Sequence, residues 1–431
     1  MKIGIFGSYN APSIGDHAIL EGILSGFHER LHSPSFVIFS FAPNATKTLL
    51  MQDVNLRTLN AAPIMGPTSP TSPPRHRPTP SHSPPQRAPF ISALARNLRA
   101  TRRDLKIVHS FSHWRNIQQE IAELDVLLIG GGNLIMDMFG GWPIYPLIYA
   151  FLARRVGTPM MFFAVGAGPL QSRRGRWYFS LAARWAQALT FRDSPSLEYA
   201  AHALRCPQEK LHLSADPATL LSHPNPNASP TTSGAPRIGI TLTPYFSPAY
   251  WPNADESAYR HYLQNMAEII TEVQRQFDAH ILFFATNHPN DLLPAQEVRA
   301  LLSPHGRDNI EIIENRMTIP EMLALLDSLD LFIGTRLHSL LLAWIANVPS
   351  LALAYQPKVA HFYRRVHMDA YLFELAPKTS VPPTQIVMRL REMHEQHDAF
   401  QRRMQIEMAQ LRQEAMRSID MAVEIAANRA R

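Results

Sequence analysis

The chain has 431 residues, of which 46% are hydrophobic and 18% are charged, and its formal net charge is +6 at pH 7. A chain of this length is too long for one ordinary hydrophobic core and is typical of two domains. The single cysteine, Cys206, excludes intramolecular disulfides and cysteine-rich metal sites, and we expect it only to pack.

The amino terminus and the charge pattern bear on where the protein works. Glycine, serine, asparagine and proline soon after Lys2 interrupt any signal-peptide apolar region, so no secretion is expected. The longest apolar run, 340–354, is too short to span a bilayer. We predict a cytoplasmic protein, either free or peripheral at the inner face of the membrane.

Lys and Arg are scattered and no nucleic-acid module is present, which favours a phosphorylated substrate or an anionic lipid surface over nucleic acid. A generally basic, solvated surface is the alternative.

The first third of the chain alternates strands and helices before its composition changes. Residues 2–7 predict a buried strand, 16–30 an amphipathic helix and 37–41 a second strand. Residues 63–90 then hold ten prolines, three arginines and no acidic residue. Such a segment buries too little apolar surface to offset its ordering entropy, so we predict a disordered insertion.

Repeated βα units continue after residue 91 and start again after a second polar break. Repeats of this kind imply parallel sheets with helices on both faces. The predicted segments before the break are helix 116–124, strand 125–129, a glycine-rich loop at 130–133, helix 145–156, strand 160–165, helix 177–188 and strands 188–192 and 211–213. Those after it are strand 237–242, helix 259–277, strand 280–285, helix 320–326, strand 329–333, helix 339–346 and strand 348–354.

These segments predict an α/β protein with two doubly wound parallel-sheet domains of the Rossmann type. We expect an N-terminal domain at 1–222, a linker at 223–236, a C-terminal domain at 237–383 and a C-terminal helix at 384–431. The architecture resembles that of the GT-B glycosyltransferases, which have a central cleft at the strand carboxyl ends.

Cationic side chains gather at one edge of the predicted C-terminal sheet. Arg336 and His338 lie between a strand and an apolar helix, and Lys358 follows the next strand. Free backbone N–H groups and the helix dipole favour anions at such a turn. The pattern predicts a multiply charged anionic ligand.

The chain resembles the polysaccharide pyruvyl transferase family. The resemblance rests on ordered segments that together cover residues 3 to about 363, and it is specific at the level of the family. These segments are 334–343 with Val348-Pro349 and Tyr355-x-x-Lys358, 7–9 with 14–20, 130–134 with Asp137, 165–169, and 192–194 with 215–217.

The resemblance implies phosphoenolpyruvate as donor, two hydroxyls of one sugar as acceptor and a cyclic pyruvate ketal as product. His338 then suits proton transfer, because an imidazole titrates near neutral pH. Arg192, Arg336 and Lys358 suit donor binding in this scheme, which demands no metal and no cofactor besides the co-substrate. Candidate cleft or acceptor-binding residues are Gly15, Asp16, Gly131, Gly132, Asn133 and Asp137.

Each candidate also has a structural interpretation. Arg192 with Asp193 also fits a surface ion pair, the glycines fit a plain turn, and Gly15-Asp16 fits a helix N-cap. Two other functions stay open: a GT-B glycosyltransferase that uses a nucleotide sugar, and a non-catalytic scaffold in polysaccharide assembly. The sequence leaves the acceptor sugar undecided, and also whether that sugar is lipid-linked.

Overall fold

Two parallel β-sheets organise the chain. The computed structural model describes residues 1–9, 13–44, 46, 56–61, 104, 107–137, 143–223, 235–251 and 254–429. By contacts, the chain divides into unit 1, Met1–Asn10, Phe27–Asp216 and Met416–Arg431, and unit 2, Ala11–Gly26 and Pro217–Ala415. The predicted insertion at 63–90 and most of the predicted linker at 223–236 lie outside the described residues.

The sheet of unit 1 has seven parallel strands in the order β3-β2-β1-β4-β5-β6-β7. Its strands are β1 (Lys2–Phe6), β2 (Ser35–Ser40), β3 (Leu56–Asn60), β4 (Val126–Ile135), β5 (Met160–Ala167), β6 (Leu189–Phe191) and β7 (Leu211–Leu213). The helices in this part of the sequence are α1 (Ile14–Arg30), α2 (Phe111–Ala122), α3 (Ile144–Val156), α4 (Arg173–Trp185) and α5 (Ser194–Glu198). The central strands are buried on both faces, as continuous apolar runs in a parallel sheet require.

The sheet of unit 2 has six parallel strands in the order β10-β9-β8-β11-β12-β13. Its strands are β8 (Arg237–Thr241), β9 (His280–Phe284), β10 (Ile310–Ile313), β11 (Leu331–Gly334), β12 (Ser350–Ala354) and β13 (Leu372–Glu374). Its helices are α6 (Glu256–Phe277), α7 (Leu292–Leu301), α8 (Pro304–Asp308), α9 (Ile319–Asp327), α10 (Leu337–Ile345), α11 (Pro357–Arg365) and α12 (Pro383–Glu395). Helix α13 (His397–Arg429) begins in unit 2 and ends in unit 1. The prediction of two doubly wound parallel-sheet domains is confirmed; the cleft stays a prediction.

The core of unit 2 fixes the elements that follow β11. Trp344 of α10 is fully buried, and its indole N–H donates to Ser350 Oγ on β12 at 2.9 Å. Tyr363 of α11 donates to the carbonyl oxygen of the same serine at 2.9 Å. Helices α10 and α11 are therefore tied to one buried strand, which limits their movement relative to each other.

The observed division differs from the predicted one at both ends of the chain. Residues 11–26 cluster with unit 2 although they follow the first strand of unit 1. The backbone N–H of Ile14 donates to the carbonyl oxygen of Thr286 at 2.9 Å, and Ser13 forms a β-bridge with Asn287. An apolar helical pattern does not say which core its helix packs against, so the sequence placed this segment in the N-terminal domain.

Two predicted elements also differ from those observed. The expected loop at 130–133 is part of β4, which runs on to Ile135; Gly131 and Gly132 adopt φ values of 75° and 93° within it. Glycine tolerates these angles, so the strand continues through an irregular stretch. The expected single helix at 384–431 is two helices separated at Gln396. Apolar spacing continues from Met393 to Phe400 across that break, which explains the prediction of one helix.

Cys206 is buried, as expected for a packing residue. Burial raises the pKa of its thiol to about 12, so the thiolate is scarce at neutral pH.

Candidate active site

The strand order of unit 2 reverses between β8 and β11. In open α/β sheets, ligands bind at the carboxyl ends of strands beside such a reversal. Here the ends are fixed by buried hydroxyls: Thr335 Oγ1 donates to the carbonyl oxygen of Thr241 at 3.0 Å, and Ser339 Oγ donates to that of Arg336 at 2.8 Å. The turn from β11 into α10 is thus held from both sides.

Arg336 stands at this turn as the N-cap residue of α10. Its Nε lies 2.9 Å from both carboxylate oxygens of Asp291, and its Nη2 lies 2.6 Å from Oδ1. The Asp291 side chain is fully buried, whereas that of Arg336 keeps 16% of its surface exposed. Burial alone lowers the pKa of the guanidinium, but the charge and hydrogen bond of Asp291, together with Tyr355 and Tyr250, more than offset this and set the pKa above its ordinary value. Arg336 is therefore a fixed cation.

Asp291 is itself held by the loop that follows β9. Its Oδ2 accepts from the backbone N–H groups of Thr286 and Asn287 at 3.2 and 2.8 Å. A buried carboxylate needs such partners, because an unpaired charge away from water is costly. The loop, Asp291 and Arg336 thus form one connected network.

Two tyrosines complete the surroundings of Arg336. Nη1 lies 3.3 Å from the Tyr355 hydroxyl, and the guanidinium carbon lies 6.0 Å from the centre of the Tyr250 ring. Burial raises the pKa of Tyr355, so its hydroxyl stays neutral. A guanidinium has five N–H donors, and the contacts with Asp291 and Tyr355 use three. Among the described residues, no other group accepts from this guanidinium, so one N–H on each terminal nitrogen is left, which suits bidentate binding of a carboxylate or phosphate.

His338 lies in the first turn of α10, half-buried, and packs against α1. A Cβ atom placed on Gly15 would lie 2.1 Å from Nδ1 and 2.2 Å from Cγ of His338. Only glycine leaves room for the imidazole at this position. Asp16 follows in the same turn of α1, half-buried and inside the helix, so it is not the N-cap of the alternative interpretation. The structure thus brings Gly15 and His338 together.

Lys358 lies in the first turn of α11, half-buried, just after the carboxyl end of β12. Strand β12 pairs with β11, which ends at the turn that carries Arg336. Arg336, His338 and Lys358 therefore follow two neighbouring strands, as the sequence predicted.

Arg192 lies in unit 1, after β6, and its surroundings differ. Its side chain is only 4% exposed, and Nη1 lies 2.9 Å from Asp216 Oδ2 while Nε lies 3.7 Å from Asp193 Oδ2. The ion pair is thus buried and mainly with Asp216, rather than a surface pair with Asp193. A Cβ atom on Gly166 would lie 2.9 Å from Asn133 Oδ1 and 3.0 Å from Arg192 Nη2, so these two side chains meet over that glycine.

Asp137 supports the start of α4. Its two carboxylate oxygens accept from the backbone N–H groups of Gln171 and Ser172 at 2.9 and 2.8 Å. Burial raises its pKa, but hydrogen bonds from Ser172 and Gln171 more than offset this and leave the pKa below its ordinary value. The acceptor-binding role of Asp137, like those of Gly131, Gly132 and Asn133, stays a prediction.

Asp291 and Tyr250 were not predicted from the sequence. The signal for Asp291 was its place soon after the carboxyl end of β9, in the polar stretch Asn287–Asp291. Within the described ranges, no group of three or more His, Cys, Asp or Glu side chains is arranged to hold a metal ion. No described helix combines the length and apolarity needed to cross a membrane.

Solved structures share this fold at low sequence identity. HepE of Anabaena, solved in complex with UDP, has a TM-score of 0.57 and 12% identity, with 100% of both chains covered. UDP-GlcNAc 2-epimerase from Methanocaldococcus jannaschii has a TM-score of 0.56 and 14% identity, covering 91% of this chain and 93% of the other. A putative UDP-N-acetylglucosamine 2-epimerase from Listeria monocytogenes has a TM-score of 0.57 and 12% identity, covering 98% and 95%. The class is therefore the two-unit α/β fold of GT-B glycosyltransferases and related epimerases.

The family is narrower than the fold. Residues 14–357 match the polysaccharide pyruvyl transferase family, so the chain belongs to that family. No curated protein matches the chain. The family establishes a transferase of polysaccharide biosynthesis at that level.

Proposed function

We propose that this protein transfers pyruvate from phosphoenolpyruvate to two hydroxyls of one sugar and forms a cyclic pyruvate ketal. Family membership supports pyruvate transfer, the resemblance to the family implies the donor and the ketal, and the residues of the site are compatible with both. The observation that carries the proposal is Arg336, a cation fixed by the buried Asp291, two residues before His338 on one helix start. An anionic donor and a proton-transfer step both find suitable groups there.

The reaction sets clear demands on such a site. The methylene carbon of phosphoenolpyruvate gains a proton, positive charge builds at the neighbouring carbon, and the first sugar hydroxyl adds there and loses its proton. The bond from that carbon to the phosphate oxygen then breaks, phosphate leaves with the bonding electron pair, and the second hydroxyl adds and loses its proton. The products are the ketal and inorganic phosphate. The protein must therefore hold two anionic groups and move protons.

The residues of unit 2 match these demands. We assign proton transfer to His338, bidentate binding of the donor carboxylate or phosphate to Arg336, and a phosphate contact to Lys358. Asp291 acts through Arg336 as a positioning residue. Charges that are already fixed stabilise developing charge without reorganisation during the reaction.

The acceptor side of the proposal rests on α1. Asp16 lies in the turn that brings Gly15 against the His338 ring, which makes it our candidate for a hydrogen bond to an acceptor hydroxyl. A sugar hydroxyl there would lie on the His338 side of the site. Asp16→Asn should then raise the KM for the acceptor more than the KM for phosphoenolpyruvate.

Donor-dependent protection against heating separates this function from a glycosyltransferase. We expect phosphoenolpyruvate to raise the melting temperature, and UDP or GDP to leave it unchanged. UDP is the relevant competitor because HepE was solved with it. Protection by UDP alone would overturn the assignment of the donor.

A product assay completes the test. Purified protein, phosphoenolpyruvate and a candidate saccharide should release phosphate only when the saccharide is present, and mass spectrometry should find the pyruvate ketal on it. Cells that lack the gene should lose this ketal from their surface glycan. A glycan that keeps every ketal in such cells would contradict the proposed function.

A further inference from the structure

Two neighbouring helices of unit 1 carry a concentration of positive charge. Helices α3 and α4 contain six arginines and no acidic residue. They contact each other through Phe151 and Trp185, whose ring centres lie 6.3 Å apart, and the Arg154 guanidinium lies 5.6 Å from the centre of the Trp185 ring. Their outward sides therefore form one continuous surface.

That surface also exposes large aromatic side chains. Phe151 is 48% exposed and Trp177 is 60% exposed, although the opposite sides of the two helices are buried in the core of unit 1. Arg173, Trp177 and Arg184 recur along one side of α4, at helical spacing. We call the following set the basic aromatic face: Phe151, Arg154, Arg155, Arg173, Trp177 and Arg184.

Among the described residues, the arginines of this face have no acidic partner. Arg174, on the same helix, pairs with Asp104 at 3.3 Å. Among the residues that the structure describes, no carboxylate lies within ion-pair distance of Arg155, Arg173 or Arg184. Their charge is therefore available to an anionic partner.

We propose that the basic aromatic face docks unit 1 on the surface of an anionic phospholipid bilayer. Arginines near such a surface attract its negative headgroups. Tryptophan favours the level of the headgroups, where its ring contacts both apolar lipid and water. The face combines both features on rigid helices. Pairing with the same face of a second copy is disfavoured, because two such positively charged faces repel each other. The inference goes beyond the proposed chemistry, which needs no membrane.

Vesicle sedimentation with the full chain tests this proposal. We expect binding to phosphatidylcholine vesicles that contain phosphatidylglycerol, weak binding to pure phosphatidylcholine, and loss of binding at high salt. Arg173→Ala with Arg184→Ala should weaken partitioning about 25-fold, since each arginine contributes roughly fivefold. Trp177→Ala should weaken it severalfold at unchanged charge.

Helix α13 offers a matched control. Arg402 and Ile406 are exposed and four residues apart in unit 2, as are Arg173 and Trp177 in unit 1. Arg402→Ala and Ile406→Ala should leave partitioning unchanged, and melting temperatures should show that every variant is folded. Equal losses in the control variants would overturn the proposal.

Two further outcomes would also overturn it: failure to bind anionic vesicles, and tighter binding to duplex DNA with no effect of Trp177→Ala on vesicles. Turnover with a soluble acceptor is measured in parallel. If the protein forms the ketal but does not bind vesicles, the proposed docking surface is wrong and the proposed function still holds.

Discussion

Each unit places an arginine after the carboxyl end of a strand and pairs it with an aspartate, yet the two arrangements differ. Arg336 keeps 16% of its side chain exposed, while Arg192 keeps 4%. Arg336 is held along one edge by Asp291, whereas Arg192 lies between Asp216 and Asp193. The same pair of residue types thus yields an arginine that is partly exposed in one unit and a buried ion pair in the other, and the donor-binding role of Arg192 stays a prediction.

The difference lies in which elements supply the carboxylate. Asp291 comes from the loop after β9 and accepts from Nε and Nη2 of Arg336, so Nη1 makes no contact with this carboxylate. Asp216 and Asp193 come from segments that follow β7 and β6 themselves. An arginine and an aspartate that form an ion pair are therefore a poor guide to function unless the burial of their side chains is known.

The largest expected effect comes from removing His338. His338→Ala should lower turnover by a factor of roughly 10² to 10⁴, as for loss of a general acid or base, with the melting temperature nearly unchanged. His305, an exposed histidine of α8 in the same unit, is the control, and His305→Ala should keep full turnover. Near wild-type rates in folded His338→Ala would remove the imidazole from the reaction.

Breaking the buried pair of unit 1 should act on stability. Arg192→Met leaves the Asp216 charge without its partner, which typically costs about 3 to 5 kcal/mol of the free energy of unfolding. Denaturant unfolding measures this loss. We expect the protection by phosphoenolpyruvate to persist in this variant; its disappearance would place Arg192 in the donor site, as the sequence predicted.

A methyl group on Gly15 should displace the His338 side chain, although the two residues are far apart in the sequence. Gly15→Ala forces the His338 ring to move, and a displacement near 1 Å can cost roughly 10²-fold in turnover. Steady-state kinetics measure this. Gly22→Ala is the control on the same helix: its Cβ would lie 1.9 Å from the Pro217 carbonyl oxygen, so it should lower melting temperature instead. Unchanged kinetics in Gly15→Ala would show that the imidazole has room.

Donor affinity should respond to both cations at the edge of unit 2. Arg336→Lys keeps the charge but loses the planar guanidinium, whose paired N–H groups can bind an anion bidentately. Lys358→Ala removes a charged contact whose typical contribution is about 1.5 to 3 kcal/mol. Calorimetric titration with phosphoenolpyruvate should show a loss of roughly one to two decades in affinity for Lys358→Ala, and a smaller one for Arg336→Lys. Arg364→Lys, at an exposed pair with Glu374, should bind normally. If both site variants also bind normally, the anion sits elsewhere.

The smallest effect is expected at Asp137. Asp137→Asn turns an acceptor oxygen into a donor opposite a backbone N–H and should cost about 1 kcal/mol of the free energy of unfolding. The folded pKa of Asp137 lies below its ordinary value, so this stabilisation is complete above about pH 4 and is lost as pH falls through the folded pKa. Unfolding curves of both proteins across the acid range should converge. A constant difference down to low pH would mean that the carboxylate charge contributes nothing.

Local patterns in the sequence predicted the fold well. Strand β12 and helix α10 were recognised within two residues of their observed limits, because a short buried strand and an apolar helix have distinct lengths and boundaries. Patterns of this kind carry no information on tertiary partners. Helix α1 was therefore predicted, but not that its residues up to Gly26 cluster with unit 2, and the break at Gln396 left no signal in the apolar spacing.

The candidate site was only partly predictable for the same reason. Arg336, His338 and Lys358 share one strand-helix-strand unit, so their common edge follows from the parallel topology. The contact between Gly15 and His338, and the support of Arg336 by Asp291, join distant parts of the chain. No spacing rule reports such pairs, because they depend on how helices and loops pack around the sheet.

The path of α1 has a consequence for dividing the protein into fragments. A polypeptide that starts at residue 217 would contain His338, Arg336 and Lys358 but would lack the turn with Gly15 that packs on the imidazole. Expressed alone, this fragment would therefore contain an incomplete candidate active site. A synthetic peptide with the sequence of residues 11–26 would supply the missing turn. The fragment and the peptide would together form a split protein, whose assembly starts when the peptide is added.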